Sequence, residues 1–164
     1  MSATHDCIFC AISAGTAPAS VIYEDAAIMA FMGIRPIHPG ECMVIPKAHV
    51  DHFIDLDDPL AQQIMVIAQR IGRRMREVFR PQRVGMVVHG FGVPHAHLLL
   101  IPQHATTDIT SARFATQEDG KLAFRVEQVP LADRSVLDEQ ARLLAVSDCV
   151  HRAAGGPGEG VLCR

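Results

Sequence analysis

The clearest pattern along the chain is a long amphipathic helix. Between residues 59 and 79, apolar side chains recur at steps of three and four, which is the spacing of one helix face. The members of this stripe are Leu60, Ile64, Ile67, Ile71, Met75 and Val78. Asp58 is a good N-cap, Pro59 suits the first turn and Pro81 ends the pattern. The opposite face carries four arginines, for which a solvated surface is a better interpretation than a nucleic-acid contact.

Shorter apolar runs predict strands and two more helices. The predicted strands cover 20–25, 26–32, 42–46, 84–90, 93–102 and 121–129. The first two read as a hairpin around an acidic turn at Glu24 and Asp25. A short helical segment begins at Cys7 and stops at Gly15, and a second helix is predicted over 136–150 with Ser135 as its cap. Its apolar side is formed by Leu137, Ala141, Leu144 and Cys149.

Strands that are neighbours in sequence, together with one long helix, predict an α+β fold on an antiparallel sheet. We expect about five strands, one long helix and one short helix. The core domain is expected over 1–104, a C-terminal extension packed on or near it over 105–152, and a flexible Gly-rich tail over 153–164.

Composition narrows the class of protein. The chain has 164 residues, is 49% hydrophobic and carries a net charge of −3, so it has enough apolar residues for one core and is no electrostatic nucleic-acid binder. Five cysteines, an odd number, do not suit a secreted disulfide scaffold. Neither a signal peptide nor an apolar run of membrane-spanning length is recognisable, so we expect a soluble cytoplasmic protein without a membrane partner.

Two histidines alternate in the last clear apolar run. On a strand, His95 and His97 share one face with Leu99, while Ala96 and Leu98 point to the other. Two imidazoles on a mostly apolar face are costly unless each has a partner. A lone buried histidine is usually a hydrogen-bonded core residue. For two histidines on one strand face, a metal or catalytic site and an ordinary core position are equally good interpretations.

The CxxC pair Cys7 and Cys10 has three interpretations: half a zinc site, a redox pair, or chance. A thioredoxin-type pair would follow a strand and begin a longer helix, and no strand precedes this one. The metal interpretation is therefore favoured. Zinc takes about four nitrogen or sulfur ligands, and His49 and His95 are the natural candidates for the other two places.

Three blocks of the sequence resemble the histidine-triad (HIT) family. They are CIFCAISAGTAPASVIYED, FMGIRPIHPGECMVIPKAHV and VPHAHLLLIP, in the family's order and spacing. The resemblance covers roughly residues 7–104. It implies a HIT-like fold, one structural zinc ion per chain bound by Cys7, Cys10, His49 and His95, and a nucleophilic histidine at His97. It also implies a homodimer that shares a sheet across the interface.

The same resemblance implies a nucleotide substrate. His97 would attack the α-phosphorus of a phosphoanhydride or phosphoramidate and form a nucleotidyl-histidine, which water or another acceptor resolves. The implied base pocket consists of Phe9, Ile12, Phe31 and Ile34, for which ordinary core is the plain alternative. His89 and the backbone near Gly92 are candidate phosphate contacts, and a surface position is an equally good interpretation of His89.

Three positions depart from the family pattern. Leu99 replaces the third histidine, Gly33 stands where the family usually has the aspartate that binds the ribose hydroxyls, and Glu41 stands where many members have a histidine. Losing a donor to developing charge can cost about a hundredfold in rate. The first hypothesis is therefore a zinc-containing HIT hydrolase or transferase. The second is a non-catalytic nucleotide-sensing or interaction module on the same fold, and the third is a CxxC redox protein.

Overall fold

Five strands form one antiparallel sheet in the computed structural model, which describes residues 7–108, 115–124 and 128–147. The sheet strands are β1 (Val21–Glu24), β2 (Ile28–Met32), β3 (Cys42–Pro46), β4 (Arg83–Val87) and β5 (Leu98–Gln103). The helices are α1 (Ile8–Ser13), α2 (Asp58–Phe79) and α3 (Arg134–Leu144), with a 3₁₀ turn at Phe53–Asp55. The predicted α+β fold on a five-stranded antiparallel sheet is confirmed.

The strand order is β1-β2-β3-β5-β4, and the register aligns side chains in rows across the sheet. Phe31 pairs with Met43, Met43 with Leu99, and Leu99 with Val87. Because side chains alternate between faces, these four residues lie on one side of the sheet. We call this side the His97 face, since His97 comes two positions before Leu99.

The other side of the sheet packs against α2. The predicted helix stripe is buried here: Ile64, Ile67, Ile71 and Met75 are at most 2% exposed. Across the interface, Val44, Leu98 and Leu100 belong to the same apolar cluster. Burying large aliphatic side chains stabilises a fold by about 1.5–3 kcal/mol each. This cluster is therefore the main core, and it fixes which residues of β5 remain for the His97 face.

The C-terminal helix α3 joins this core. Leu137, Ala141 and Leu144 are buried in the same cluster as α2, as the apolar pattern predicted. A separate two-stranded sheet pairs β6 (Ala115–Glu118) with β7 (Lys121–Phe124). The sequence predicted β7 as part of 121–129 but not its partner. Cys149 and the predicted tail lie outside the described residues.

Several predicted boundaries are wrong. Asp57, not Asp58, caps α2, and its carboxylate accepts from the Leu60 amide at 2.8 Å. The cap position of α3 is Asp133 rather than Ser135, so the helix begins earlier than predicted and also ends earlier, at Leu144. In both cases two residues of capping type lie within two positions of each other, and tertiary packing decides between them.

The predicted strand over 93–102 begins only at Leu98: its pairing ends at Val44 on β3 and at Val87 on β4, and the Ala96 amide donates to the Val50 carbonyl instead. His95 and His97 therefore lie in the extended segment that leads into β5. None of the described helices is long and apolar enough to cross a membrane.

Candidate functional site

Four metal-ligating side chains from three parts of the chain meet at one end of the His97 face. Cys7 and Cys10 lie at the start of α1, His49 follows β3, and His95 precedes β5. One ligand atom from each lies within 4.8 Å of the other three. The structure thus brings together all four residues that the sequence suggested as ligands, and this set can hold a metal ion.

The spacing of these atoms suits a tetrahedral site. Cys7 Sγ is 3.5 Å from His95 Nδ1, Cys10 Sγ is 3.6 Å from the same nitrogen, and Cys10 Sγ is 3.2 Å from His49 Nδ1. Zinc–sulfur and zinc–nitrogen bonds of ordinary length place such atoms about 3.6 Å apart at a tetrahedral angle. Two sulfurs and two imidazole nitrogens are also a donor set typical of structural zinc.

A backbone carbonyl orients the buried ligand His95. Its Nε2–H donates to the Pro46 carbonyl oxygen at 2.8 Å, so Nδ1 carries the lone pair and faces the two sulfurs. Burial lowers the pKa of His95, with a further contribution from the neighbouring imidazoles of His49 and His97. A neutral imidazole whose second nitrogen is hydrogen-bonded is the form that binds a metal.

The two cysteines are free thiols in this structure. Burial raises the pKa of Cys10, and the neighbouring Cys7 raises it further. Without a cation, Cys10 therefore favours its protonated form. A bound cation stabilises the thiolate and reverses this preference, so metal binding here is accompanied by proton release.

The imidazole of His97 is held beside this cluster. Its Nδ1–H donates to the His95 carbonyl oxygen at 2.7 Å, which leaves Nε2 as the nitrogen with an available lone pair. The side chain is 9% exposed, and the ring of Phe9 packs edge-on against it with centroids 5.6 Å apart. A neutral imidazole fixed through one nitrogen is the arrangement a nucleophilic or basic histidine requires.

His97 lines a small cleft formed by three loops. The cleft is bordered by residues 51–53, residues 88–90 and the segment that holds His95 and His97. His89 is exposed at this border, with Nδ1 3.5 Å from the Phe91 carbonyl oxygen. Gly90 lines the cleft, whereas Gly92 is not among the residues that do so.

The four predicted base-pocket residues separate into two groups. Phe9 and Phe31 are buried in a second apolar cluster on the His97 face, with ring centroids 5.5 Å apart, and Ile12 packs against it. Ile34 lies outside this cluster and is 52% exposed. The structure therefore groups three of these residues near His97 and places the fourth in the loop after β2.

The three departures from the family pattern lie further along the same face. Leu99 is partly exposed and follows His97 in the alternation. The Gly33 amide donates to the Glu41 backbone carbonyl at 3.0 Å, and the Glu41 carboxylate accepts from the Ile37 amide at 2.9 Å. Glu41 is thus directed at the loop over 33–37. Burial raises its pKa, although the Ile37 amide and His38 act in the opposite direction.

Sequence reasoning missed the backbone groups that organise this site. The Pro46 carbonyl orients His95, and the Val50 carbonyl accepts from the Ala96 amide at 2.6 Å. Residues 51–53, which border the cleft, were also missed. No side-chain pattern marks a carbonyl acceptor, although the closeness of Pro46 to His49 is a weak signal that the loop approaches the metal ligands.

Comparisons with known proteins agree with this geometry. The HIT domain family model matches residues 14–106, more than half of the chain. Protein hit of Bacillus subtilis is 32% identical over 124 residues, which cover 73% of this chain and 86% of that protein. The adenosine 5′-monophosphoramidase of Schizosaccharomyces pombe is 34% identical over 101 residues, covering 59% of this chain and 74% of that protein.

The chain is also similar to solved structures over most of its length. The zinc-bound histidine triad family protein of Mycobacterium smegmatis superposes with a TM-score of 0.64 at 29% identity, covering 86% of this chain and 91% of that one. Its bound zinc agrees with the donor set found here. The family match, the fold and the cysteine–histidine cluster lead to one conclusion: this chain belongs to the HIT family.

Proposed function

We propose that this protein is a HIT-type nucleotide hydrolase or transferase that cleaves a nucleotide phosphoanhydride or phosphoramidate through His97. The observation that carries the proposal is the 2.7 Å hydrogen bond from His97 Nδ1 to the His95 carbonyl, which selects the tautomer of the neutral imidazole in which Nε2 carries the lone pair, beside a cleft. A relative with 34% identity is named as an adenosine 5′-monophosphoramidase, which supports this reaction class.

In the proposed reaction, the Nε2 lone pair of His97 attacks the α-phosphorus. A phosphorus–nitrogen bond forms, the bond from phosphorus to the leaving group breaks, and the leaving group departs with the bonding electrons and gains a proton. Water or another acceptor then attacks phosphorus and returns the electron pair to Nε2. Two displacements at one phosphorus replace a single harder one.

We propose that Cys7, Cys10, His49 and His95 hold one zinc ion. Its contribution is structural: bound zinc ties α1, the loop after β3 and the segment before β5 together. Since the His95 carbonyl accepts from His97, fixing His95 also fixes the nucleophile. The metal site thereby positions His97 without taking part in the displacement.

The substrate is proposed to lie along the His97 face. Phe9, Ile12 and Phe31 supply the apolar surface for a base, with Ile34 at its far edge. His89 and backbone amides of the loop that includes Gly92 are the proposed phosphate contacts. These contacts would stabilise part of the negative charge on the transferred phosphoryl group, which the apolar side chain of Leu99 cannot do.

The proposal is tested with zinc-loaded protein and a panel of adenosine phosphoramidates and dinucleoside polyphosphates. His97→Asn keeps an N–H donor for the His95 carbonyl but has no nucleophile, so turnover is expected to fall at least about a thousandfold. Mass spectrometry of quenched wild-type protein should locate the nucleotidyl group on His97. His104→Asn, at an exposed histidine that does not line this cleft, is the matched control and is expected to retain the covalent intermediate.

Leu99 favours a second candidate, a module that binds nucleotides without chemistry. An apolar side chain at this position offers no donor to the transferred phosphoryl group. If nucleotide binding survives His97→Asn and the wild type turns over no member of the panel, the second candidate replaces the first.

The homodimer implied by the family resemblance stays a prediction. The edge strand β4 (Arg83–Val87) pairs with β5 on one side, so a second copy can extend the sheet along its other side. Light scattering coupled to size-exclusion chromatography measures the mass directly, and a monomer at assay concentrations would contradict this prediction.

A further inference from the structure

A positively charged groove lies between the helix α2 and the edge strand β4. One cavity of about 410 Å³ separates these two elements, and a second of about 300 Å³ lies where β4 begins and β5 ends. Gln82 and Arg83 line both cavities, which therefore adjoin. We call them together the arginine groove, because Arg73, Arg76 and Arg83 line it and none of the described aspartates or glutamates does.

The short turn after α2 brings these arginines together. Arg73 and Arg76 are three positions apart and are therefore neighbours on one side of the helix. The helix ends at Phe79, and Arg80 has a left-handed backbone conformation with φ 50°. Since β4 begins at Arg83, only three residues separate the helix from the strand. Arginines from a helix and from a strand thus reach one groove.

Hydrogen bonds hold the strand side of the groove in place. Arg83 pairs with Gln103 across β4 and β5, and the Gln82 amide donates to the Gln103 carbonyl at 2.9 Å. The Nη1 atom of Arg83 donates to the Gln82 carbonyl, also at 2.9 Å. This hydrogen bond restricts the guanidinium and leaves its other N–H groups for a ligand.

The three groove arginines are exposed, and none of them forms an ion pair with any residue that the structure describes. Arg74, on another side of α2, does form one, with Glu77 at 3.0 Å. The helix dipole favours a cation at Arg76 in the last turn of α2, but it does not explain Arg83 on a strand. Because the whole chain has a net charge of −3, this groove is a local concentration of positive charge that attracts an anion.

We propose that the arginine groove binds a linear polyphosphate chain. Guanidinium groups donate paired hydrogen bonds to phosphate oxygens, and three of them in one groove suit several linked phosphates better than a single one. The side-chain amides of Gln69 and Gln103 and the hydroxyl of Thr106 supply neutral donors for the remaining oxygens. Neither phenylalanine nor tyrosine is among the described residues that line the groove, so it offers no such ring for the stacked bases of a single-stranded nucleic acid.

This groove is separate from the cleft at His97. Val84 and Met86 line its floor and face α2, since a Cβ added at Gly72 would lie 3.6 Å from Val84 Cγ1 and 3.8 Å from Met86 Cε. They are therefore on the side of the sheet opposite to the His97 face. Gln103 also follows His97 by six positions of extended chain, which is about 20 Å. Polyphosphate binding here goes beyond the proposed reaction and does not depend on it.

The test titrates sodium tripolyphosphate by calorimetry into zinc-loaded protein, with excess adenosine 5′-monophosphate to occupy the cleft at His97. Arg73→Gln and Arg83→Gln should each weaken binding about tenfold or more, and the double variant about a hundredfold. Arg70→Gln is the matched control: it removes the same charge from α2 at a position that lines neither cavity, and it should bind like the wild type. Zinc content is measured after each titration, because tripolyphosphate also chelates zinc. Such chelation is common to all the proteins and cancels in the comparison.

Three results would overturn the proposal. The first is equal affinity for tripolyphosphate in the wild type, Arg73→Gln and Arg83→Gln; should one variant fold poorly, the other decides alone. The second is binding of hexaglutamate as tight as that of tripolyphosphate, which would assign the groove to an acidic peptide. The third is a dimer, identified by light scattering, that binds no tripolyphosphate because a second copy on β4 covers the groove. Weaker binding at higher salt in the wild type, reduced in the double variant, supports the proposal.

Discussion

The two ends of the His97 face are held in place by different kinds of interaction. The end that holds Cys7, Cys10, His49 and His95 we call the metal end. Its four side chains come from distant parts of the sequence, and Cys7 and His95 are separated by 88 positions. At the other end, which we call the loop end, residues 33–41 are held by hydrogen bonds exchanged with the C-terminal segment over 129–140. One end depends on side chains that can share a metal, and the other depends on backbone groups together with the Gln140 amide and the Arg35 guanidinium.

A metal ion bound at this end would add order through linkage. It would close long loops between α1, the loop after β3 and the segment before β5, so its binding free energy would contribute directly to folding. Most of this end lies inside the region matched by the family model, 14–106, although Cys7 and Cys10 precede it. The proposed nucleophile His97 belongs to this end, since its acceptor is the backbone carbonyl of His95, a member of the cysteine–histidine cluster.

The loop end is held from outside the matched region. The Ala132 amide donates to the Ile34 carbonyl at 3.0 Å, and the Gly40 amide donates to the Gln140 side chain at 2.9 Å. Arg35 donates to the Val129 carbonyl. His97 and the loop over 33–41 are therefore held by separate parts of the chain, so each can be perturbed while the other stays intact.

The largest effect is expected at the metal end. His95→Ala removes a proposed metal ligand, the Pro46 hydrogen bond and a fully buried ring, and should reduce the free energy of unfolding by roughly 3 kcal/mol or more. Zinc content is measured by elemental analysis and stability by denaturant unfolding, each with and without chelator. His52→Ala changes a side chain that is 61% exposed, three residues after His49, and it should alter neither the zinc content nor the stability. Complete zinc removal without any loss of wild-type stability would contradict the role given to the metal.

The next effect is expected at the loop end. Gln140 is 8% exposed, and Gln140→Leu leaves the Gly40 amide without its acceptor, which costs about 1–3 kcal/mol. Hydrogen exchange should accelerate over residues 33–41, and the wild-type zinc content should be retained. Gln62→Leu, on the exposed side of α2, is the matched control. Faster exchange around His49 and His95 in Gln140→Leu would show that the two ends are coupled after all.

Much of the metal end was predictable from sequence, because only a few residue types bind metals or act as nucleophiles, and here they occur at short, characteristic spacings. The CxxC pair, the histidine after a short strand and the alternating histidines named all four clustered residues and His97. The stripe on α2 was equally readable, since a helical period over 21 residues leaves few alternatives. The backbone carbonyls that accept hydrogen bonds from His95 and His97 could not be predicted from sequence, because every residue carries the same carbonyl group.

The loop end was less predictable, since it depends on register and on long-range contacts. That Glu41 lies beside Gly33 follows from the pairing of β2 with β3 across a nine-residue connection, which no local pattern fixes. Gln140 and Ala132 contact this loop across about a hundred sequence positions. The strand β6 was missed because its residues Ala115–Glu118 show no clear alternation.

Acid should perturb the loop end through Asp108. The amide hydrogen bond from His104, with smaller contributions from the Ala105 amide and His38, lowers the pKa of Asp108 to about 2. The folded pKa lies below the unfolded value of about 3.9. Its stabilising contribution is therefore complete above about pH 4 and is lost as the pH falls toward 2.

Asp108→Asn should remove this acid-dependent loss. Unfolding midpoints of the variant and the wild type, measured in denaturant from pH 6 to 2 with chelator in both samples, should converge at the acid end. Asp51→Asn, whose side chain is 55% exposed, should instead follow the wild type across the range. A constant difference between Asp108→Asn and the wild type at every pH would assign the carboxylate no role in acid stability.

The smallest effect is expected at a position that belongs to neither end. The Asp57 carboxylate accepts from the Leu60 amide at 2.8 Å and satisfies one of the free N–H groups at the start of α2. Asp57→Ala should cost about 1 kcal/mol, measured by denaturant unfolding. Asp58→Ala is the matched control, because its carboxylate is in the same first turn but does not cap the helix; it should lose only the smaller interaction with the helix dipole. Both variants should keep zinc and the exchange pattern of residues 33–41. If Asp58→Ala instead costs more than Asp57→Ala, the helix begins one residue later, as the sequence pattern had indicated.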